Sequence, residues 1–156
     1  MIRIEHISPD HPLYHQQTQL REQVLLMPIG YSFARFRDEY AAVDDAGMHV
    51  VAVLDHPTGP KIIGTATLVV SGDDPTMGKL TQMAVDPQRQ REGVGRRLVT
   101  AIESLAFGEL GMREIYCHAQ TTASGFYTSL GWQQQGDEFT EAGIQHVRMH
   151  FVPHGE

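Results

Sequence analysis

Several features that define large classes of protein are missing from this sequence. It has one cysteine, Cys117, in 156 residues, which excludes an internal disulfide framework. Cys117 stands in an apolar run, so it is interpreted as a buried small hydrophobe rather than a reactive thiol. No run of about 20 apolar residues is present, although a membrane-spanning helix requires one. The first residues, MIRIEHISPD, do not resemble a signal peptide, so we expect one soluble cytoplasmic domain over residues 1–156.

Positive charge is also scarce. Lysine and arginine number 12 and aspartate and glutamate 19, which gives a net charge of −7 with histidine neutral. Nucleic acids select basic surfaces, so a nucleic-acid partner is disfavoured. The balance is compatible with cationic substrates such as amines, although many soluble enzymes carry negative charge only for solubility.

Histidine is abundant, at nine residues, but the spacing argues against a metal site. His146 and His150 fall on a predicted strand, where a separation of four residues is about 13 Å and too long for one ion. His11 and His15 would share a helix face, yet no carboxylate or cysteine accompanies them. We therefore predict no metal site.

The most informative stretch is residues 83–110, MAVDPQRQREGVGRRLVTAIESLAFGEL. An apolar strand ends at Asp86, and a polar turn leads through Gly93 and Gly95 into an amphipathic helix. Glycines lack a Cβ, so backbone N–H groups can approach a ligand there, and a helix N-terminus carries partial positive charge. Arginines at positions 91, 96 and 97 add to that charge. The stretch predicts a binding site for a phosphate or pyrophosphate.

Neither a nucleotide P-loop nor a Rossmann glycine pattern is present. The run from Gln90 to Gly95 is instead Q-x-x-G-x-G, and residues 120–132 read Q-x-x-A-x-x-F-Y-x-x-L-G-W. These two motifs, in this order, resemble those of the GNAT superfamily of N-acetyltransferases. The family patterns are [QR]-x-x-G-x-[GA] and N-x-x-A-x-x-[FL]-Y-x-x-L-G-F, and the resemblance is firm over residues 79–132.

The resemblance implies that acetyl-coenzyme A is the co-substrate and assigns residues to it. Pantetheine contains two amides, so it can pair like an added strand with the backbone of Met83, Ala84 and Val85. The pyrophosphate would be held by the backbone of Arg91, Glu92, Gly93, Val94, Gly95 and Arg96. Gln120 stands where the family usually has asparagine and could bind the cofactor through its amide.

Tyr127 is the predicted catalytic residue. A phenol with a pKa near 10 can protonate a departing thiolate, and the family's tyrosine at this place does so. The alternative is a core tyrosine on an amphipathic helix. Many family members carry a glutamate on the central strand as general base, but residues 79–85 contain no acid. His118 and His146 are candidates for that role, since histidine titrates near neutrality; a water chain is another.

Two functions from different classes remain open at this stage. The first is acetyl transfer to a primary amine of a small molecule or peptide, by direct attack in a ternary complex. The second is a non-catalytic module of the same fold that binds acyl-coenzyme A as a sensor or interaction unit. Acceptor residues in the family follow the first helix, so Tyr31, Phe33, Arg35 and Phe36 either line a pocket or cover a sheet edge. The sequence does not decide the acceptor or the oligomeric state, and a homodimer stays open.

Hydrophobic periodicity, β-branched runs and turn-forming clusters supply the order of elements. Strands are predicted at residues 2–7, 48–54, 61–70, 79–85, 115–119, 132–135 and 144–152, and helices at 12–27, 94–110 and 122–129. Turns are predicted at 71–78, 136–138 and 141–143. The strand–helix–strand unit makes strands four and five parallel neighbours. With the resemblance, this implies an α/β fold: a mixed, mostly antiparallel sheet of six or seven strands, helices on both faces, and a splay between strands four and five.

Overall fold

A seven-stranded sheet forms the centre of the protein in the computed structural model, which describes residues 1–153. Its strand order is β1-β2-β3-β4-β5-β7-β6. The strands are β1 Ile2–Ile7, β2 Met48–His56, β3 Gly59–Ser71, β4 Asp74–Val85, β5 Glu114–Gln120, β6 Gln133–Glu141 and β7 Ile144–Phe151. Neighbours run antiparallel except β4 and β5, which are parallel. The predicted mixed sheet is therefore confirmed.

Five α-helices accompany the sheet in residues 1–153: α1 Tyr14–Arg21, α2 Phe33–Glu39, α3 Ala41–Ala46, α4 Val94–Glu103 and α5 Ser124–Ser129. The first predicted helix continues beyond α1 as a π-helical turn, Glu22–Leu26, and a 3₁₀ turn, Met27–Ile29. A second π-helical turn, Ser104–Glu109, extends α4. Within residues 1–153, no helix has the length and apolar character needed to cross a membrane.

Helices cover both faces of the sheet, as predicted. The stripe of Val94, Leu98 and Ile102 on α4 is buried against one face. Gly64 on β3 permits this close packing, because a Cβ there would lie 2.8 Å from Cγ1 of Val94 and 3.0 Å from Cδ1 of Leu98. On the other face, Leu20 of α1 packs in a second cluster with residues of β2 and β3.

The splay between β4 and β5 begins after a short ladder. The two strands pair only at Met77–Glu114, Gly78–Ile115 and Lys79–Tyr116. Farther along, the β3–β4 register shifts where two residues of β4, Gln82 and Met83, stand opposite one residue of β3. Gln82 has a φ of 52°, and a bulge of this kind bends the strand that carries it. The end of β4 consequently turns away from β5, and the predicted splay is confirmed.

Two predicted turns are wrong in extent. The turn placed at residues 71–78 is shorter, because β3 reaches Ser71 and β4 begins at Asp74. The turn placed at residues 136–138 lies inside β6, where the register with β7 shifts. Gly136 has a φ of 84° there and accommodates the irregularity. β6 is an edge strand whose residues are nearly all exposed, so it has no hydrophobic alternation from which its length could be predicted.

Candidate functional site

The loop between β4 and α4 has a defined backbone geometry. The Asp86 carboxylate accepts a hydrogen bond from the Gln88 N–H at 3.0 Å and opens a 3₁₀ turn, Pro87–Arg89. Arg91 and Gly93 then adopt φ values of 73° and 82°, and α4 starts directly afterwards. The first N–H groups of an α-helix have no intrahelical acceptor. The exposed loop of residues 90–93 therefore leads into a set of N–H groups suited to an anion.

Gly93, at the end of this loop, and Gly95, in the first turn of α4, are required for different reasons. Gly93 has a left-handed backbone, and a Cβ at this position would meet nothing within 4 Å. Gly95 lacks space instead, since its Cβ would lie 3.1 Å from Cε of Met83 and 3.3 Å from Cζ of Phe126. Gly93 thus sets the turn, and Gly95 lets the start of α4 lie against the end of β4 and against α5.

Tyr127 lies on α5 and is 8% exposed. Its ring packs against Phe126 and Trp132, with centroid distances of 5.1 and 5.2 Å. The hydroxyl donates to Sδ of Met83 on β4 at 3.6 Å, and the Cys117 thiol on β5 is its other polar neighbour. Burial, with a smaller effect of Cys117, raises the pKa of the phenol. The hydroxyl is a protonated donor placed between the two diverging strands.

Cys117 is buried, as the sequence predicted. Burial raises the pKa of its thiol to about 12, so the thiolate form is strongly disfavoured. A nucleophilic role needs the thiolate, and this environment does not supply it.

His118 lies on β5 and its side chain is 26% exposed. Its Nδ1 is 3.0 Å from Oε1 of Glu141, and its ring makes an edge contact with Phe139 at a centroid distance of 5.1 Å. Burial lowers the pKa of His118, the charge of Lys79 lowers it further, and Glu141 opposes both. The imidazole is therefore biased towards the neutral form that a general base requires.

His146 is a neighbour of the same carboxylate. Its Nε2 is 3.9 Å from Oε2 of Glu141, and its Nδ1 is 2.8 Å from the carbonyl oxygen of Ile144. The ring stacks on Phe139 at a centroid distance of 5.9 Å and is largely buried. With one nitrogen on a backbone carbonyl and little exposure, His146 is placed less favourably than His118 for taking a proton from a substrate.

The predicted residues flank the splay from opposite sides of the sheet. Cys117 belongs to the core beneath α4 and α5, together with Tyr127. Since side chains alternate along a strand, His118 and Gln120 face the other side. Gln120 is exposed at the end of β5, before the 3₁₀ turn Thr121–Ala123. The predicted acid and the predicted base are therefore brought to the same end of β4 and β5, but not to the same face.

A buried polar network behind β4 escaped the sequence analysis. The side chain of Arg21 is fully buried and forms two hydrogen bonds with Asp44, at 2.7 and 3.0 Å. Its Nε donates to Oε1 of Gln82 at 3.0 Å. Phe33 and Phe36 lie over the guanidinium, with ring centroids at 5.1 and 5.4 Å. No local motif connects these residues, so only their positions in the fold identify them.

Two other predicted acceptor residues are Tyr31, which precedes α2, and Arg35, which lies on its exposed side. The Arg35 guanidinium stacks on Tyr31 at 4.0 Å, and Tyr31 donates to Glu39. An open cavity of about 500 Å³ lies beside α1, with Tyr14 and Phe33 among its lining residues. Within residues 1–153, no group of three or more histidine, cysteine or acidic residues is arranged to hold a metal ion.

Comparisons with known proteins agree with this geometry. A family model described as "Acetyltransferase (GNAT) domain" matches residues 34–152. The chain is 28% identical over 148 residues to "Putative acetyltransferase BSU40680" of Bacillus subtilis (strain 168), and the match covers 95% of each protein.

Solved structures show the same architecture. The crystal structure of Escherichia coli ElaA superposes with a TM-score of 0.79 at 19% identity, covering 96% of this chain and 99% of that one. A second structure, of an aminoglycoside 6'-N-acetyltransferase complexed with coenzyme A, gives a TM-score of 0.78 at 17% identity and covers 99% of both chains. At these identities the structural likeness establishes a common fold.

Proposed function

Because this chain belongs to the GNAT family of acetyltransferases, we propose that it transfers an acetyl group from acetyl-coenzyme A to a primary amine of a small molecule or peptide. The observation that carries the proposal is the position of the Tyr127 hydroxyl between Met83 of β4 and Cys117 of β5, the two strands that diverge at the splay. The structural neighbour complexed with coenzyme A and named for an aminoglycoside acceptor supports both the co-substrate and the amine.

The splay suits the pantetheine arm of acetyl-coenzyme A. Beyond Lys79 the facing edges of β4 and β5 no longer pair, so backbone groups of Met83, Ala84 and Val85 are available to the two amides. Gln120 borders the same opening on β5. The bulge at Gln82 is what makes this edge available, because it directs the end of β4 away from its neighbour.

The loop before α4 suits the pyrophosphate. Arg91, Glu92 and Gly93 form the exposed turn, and Val94, Gly95 and Arg96 contribute the first N–H groups of the helix. These donors need no particular side chain, so the left-handed turn at Gly93 matters more than residue identity nearby. The exposed guanidinium groups of Arg91 and Arg96 add charge at the same place.

The chemistry is a direct substitution at the thioester carbon. The lone pair of the neutral amine forms the C–N bond, the C–S bond breaks, and the thiolate takes a proton from the Tyr127 hydroxyl. The amine loses one proton, through His118 or water to solvent, and the Tyr127 phenolate regains one from solvent, so that both groups return to their starting states. A phenol whose pKa is raised by burial is fully protonated at neutral pH and can serve as the donor. No covalent acyl-enzyme is required, and the buried Cys117 thiol is not used.

A binding module without turnover is the second candidate. The absence of an acidic residue from positions 79–85 of β4 favours it, since a general base on that strand is common in the family. Thiol release from acetyl-coenzyme A, measured with a panel of amines, separates the two functions. Amine-dependent release that is reduced in Tyr127→Phe supports the transferase. Tight binding of coenzyme A by calorimetry, with no release for any amine, would establish the module.

A further inference from the structure

The distribution of unpaired positive charge distinguishes two places in the molecule. Most lysine and arginine side chains have a carboxylate oxygen within 4.0 Å. Within residues 1–153, those with no such partner are Lys79, Arg91, Arg96, Arg97 and Arg148. No carboxylate therefore neutralises these five cations at short range, although acidic residues outnumber basic ones by 19 to 12.

Three of these cations surround the start of α4, where the proposed pyrophosphate would bind. The other two, Lys79 and Arg148, lie elsewhere. Lys79 is the Cα partner of Tyr116 at the last rung before the splay, and Arg148 is the partner of His118. Paired residues of neighbouring strands point to the same face, so all four share one side of the sheet. This is the face opposite the one on which Cys117 is buried.

Arg148 is held in a fixed orientation. Its guanidinium carbon lies 3.6 Å from the ring centroid of Tyr116, and its Nε donates to Oε1 of Gln135 at 2.7 Å. The Tyr116 hydroxyl is in turn 2.9 Å from the Ser71 hydroxyl. No other hydrogen bond joins the guanidinium to residues 1–153. Its terminal N–H groups are thus oriented and unused, which is the arrangement that binds an oxyanion in a bidentate manner.

Two acidic groups on this face already have hydrogen-bond partners. Glu141 is bound to His118 at 3.0 Å, and Glu114 to His150 at 2.9 Å. A second cationic group on a substrate would therefore meet Lys79 and Arg148 before it met a free carboxylate. The net charge of −7 makes the molecule as a whole compatible with cationic partners, but on this surface Lys79 and Arg148 are two cations that no carboxylate pairs.

We infer that Lys79 and Arg148 bind an oxyanion on the acceptor, so that the substrate is an amine that also carries a carboxylate or a phosphate. The inference rests on the proposed acetyl transfer and names its acceptor class. The oxyanion would bind at the terminal N–H groups of the Arg148 guanidinium, which itself covers the Tyr116 ring, and the amine would lie towards His118 and the splay. Polyamines and other purely cationic amines would be poor acceptors.

Matched pairs of amines test this inference. Suitable pairs are glycine with glycinamide, 4-aminobutyrate with 4-aminobutyramide, and 2-aminoethyl phosphate with ethanolamine; spermidine is the cationic probe. The amine pKa differs within a pair. For each pair, the measured quantity is kcat/KM of the acid-bearing amine divided by kcat/KM of its partner. This ratio is compared between the wild type and a variant, and the difference in amine pKa cancels in that comparison.

In the wild type we expect an acid-bearing amine to be the best acceptor of its pair. In Arg148→Gln and Lys79→Gln the ratio should fall at least tenfold through KM for the acceptor, with KM for acetyl-coenzyme A within twofold of the wild type. Arg148→Lys keeps the charge and loses the planar fork, so it should recover only part of the preference. Arg113→Gln removes an equal charge from an exposed side chain paired with Asp74 and should leave the ratio unchanged. The carboxylate and phosphate pairs distinguish the two sources of oxyanion.

Turnover of neutral amines or spermidine with no acid preference would overturn this inference and leave the proposed acetyl transfer intact. If no amine supports thiol release, the proposed transferase fails instead. Calorimetry of the same amines with protein saturated by coenzyme A then decides the inference. Binding of the acid-bearing member that is lost in Arg148→Gln supports it, and equal or absent binding of both members contradicts it.

Discussion

Nε of Arg21 lies 3.0 Å from Oε1 of Gln82. The fully buried guanidinium of Arg21, on α1, therefore holds the Gln82 side chain at the point where β4 bends away from β5. Gln82 has a φ of 52°, a conformation that non-glycine residues adopt rarely and that needs support from its surroundings. Asp44 on α3 fixes the guanidinium in turn. The bend of β4 at the splay is therefore supported by the buried pair of Arg21 and Asp44, which lies outside the proposed acetyl-coenzyme A site.

Asp44→Asn tests how much this buried pair stabilises the fold. The change leaves the buried Arg21 without its counter-charge, and breaking a buried pair typically costs about 3–5 kcal/mol. We expect a loss of this order in the free energy of unfolding from denaturant titration. Asp45→Asn is the matched control, since its pair with Arg37 is exposed and surface pairs contribute about 1 kcal/mol or less. Equal losses in the two variants would contradict a structural role for the buried pair.

The same pair should make the protein sensitive to acid. Burial alone would raise the pKa of Asp44, but hydrogen bonds from Arg21 and Tyr14 outweigh it and the pKa is lowered in the folded state. The resulting stability is present in full above the unfolded pKa of about 3.9 and is lost as the pH falls through the folded pKa. Denaturant titrations from pH 7 down to pH 2 should show this loss in the wild type, beginning as the pH falls below about 4. In Asp44→Asn the acid-dependent decrease should be smaller.

Parts of the fold could be predicted from the sequence because local pattern determined them. The stripe of Val94, Leu98 and Ile102 predicted α4, alternation predicted the first strand, and β-branched runs predicted the second and third. The family motifs predicted the splay and the position of Tyr127. The polar strand β6 could not be predicted in full, because an edge strand exposed on both faces lacks a hydrophobic period.

Parts of the site depend on contacts between distant segments. Arg21 and Asp44 are 23 residues apart and share no motif. Lys79 and Arg148 were visible in the sequence only as two charges among many. Their proposed role in binding an oxyanion follows from their lack of an acidic partner. That can be known only from the positions of the neighbouring side chains in the fold.

Gly95→Asp is expected to weaken acetyl-coenzyme A binding at least tenfold, or about 1.4 kcal/mol. The new side chain would collide with Met83 and Phe126 and would place a negative charge beside the proposed pyrophosphate. Gly108→Asp is the control, because a Cβ there meets nothing within 4 Å and the position lies far along the same helical segment. Calorimetry on variants with wild-type circular dichroism gives the affinities. Unchanged affinity in a folded Gly95→Asp protein would show that the start of α4 does not bind the pyrophosphate.

Tyr127→Phe removes the hydroxyl and keeps the packed ring. General acid catalysis contributes about a hundredfold to ten-thousandfold, which sets the scale of the expected loss in kcat. Water could replace the phenol in part, so a loss of about tenfold remains consistent with the role. Affinity for acetyl-coenzyme A should stay within a few-fold. Tyr40→Phe, on an exposed side chain, should have no effect on either quantity. Wild-type turnover of Tyr127→Phe from pH 6 to 10 would leave the residue with packing alone.

The pH dependence of kcat/KM tests His118 as the general base. Burial and the charges of Lys79 and Arg148 lower its pKa, against the opposing effect of Glu141. His146 also faces it across Glu141 and Phe139. A base must be neutral, so activity should fall on the acid side with a midpoint below the ordinary histidine value of about 6.5.

Two variants separate this limb from other titrations. His118→Gln should lower kcat/KM and abolish the limb. Glu141→Gln removes the group that favours the imidazolium, so the midpoint should move to lower pH while neutral-pH activity is largely kept. Steady-state rates from pH 5 to 9 supply the profile. Circular dichroism at each pH checks that the protein stays folded. If the acid limb persists unchanged in His118→Gln, the amine's proton goes to water or to His146. His118 is then only a hydrogen-bond partner of Glu141.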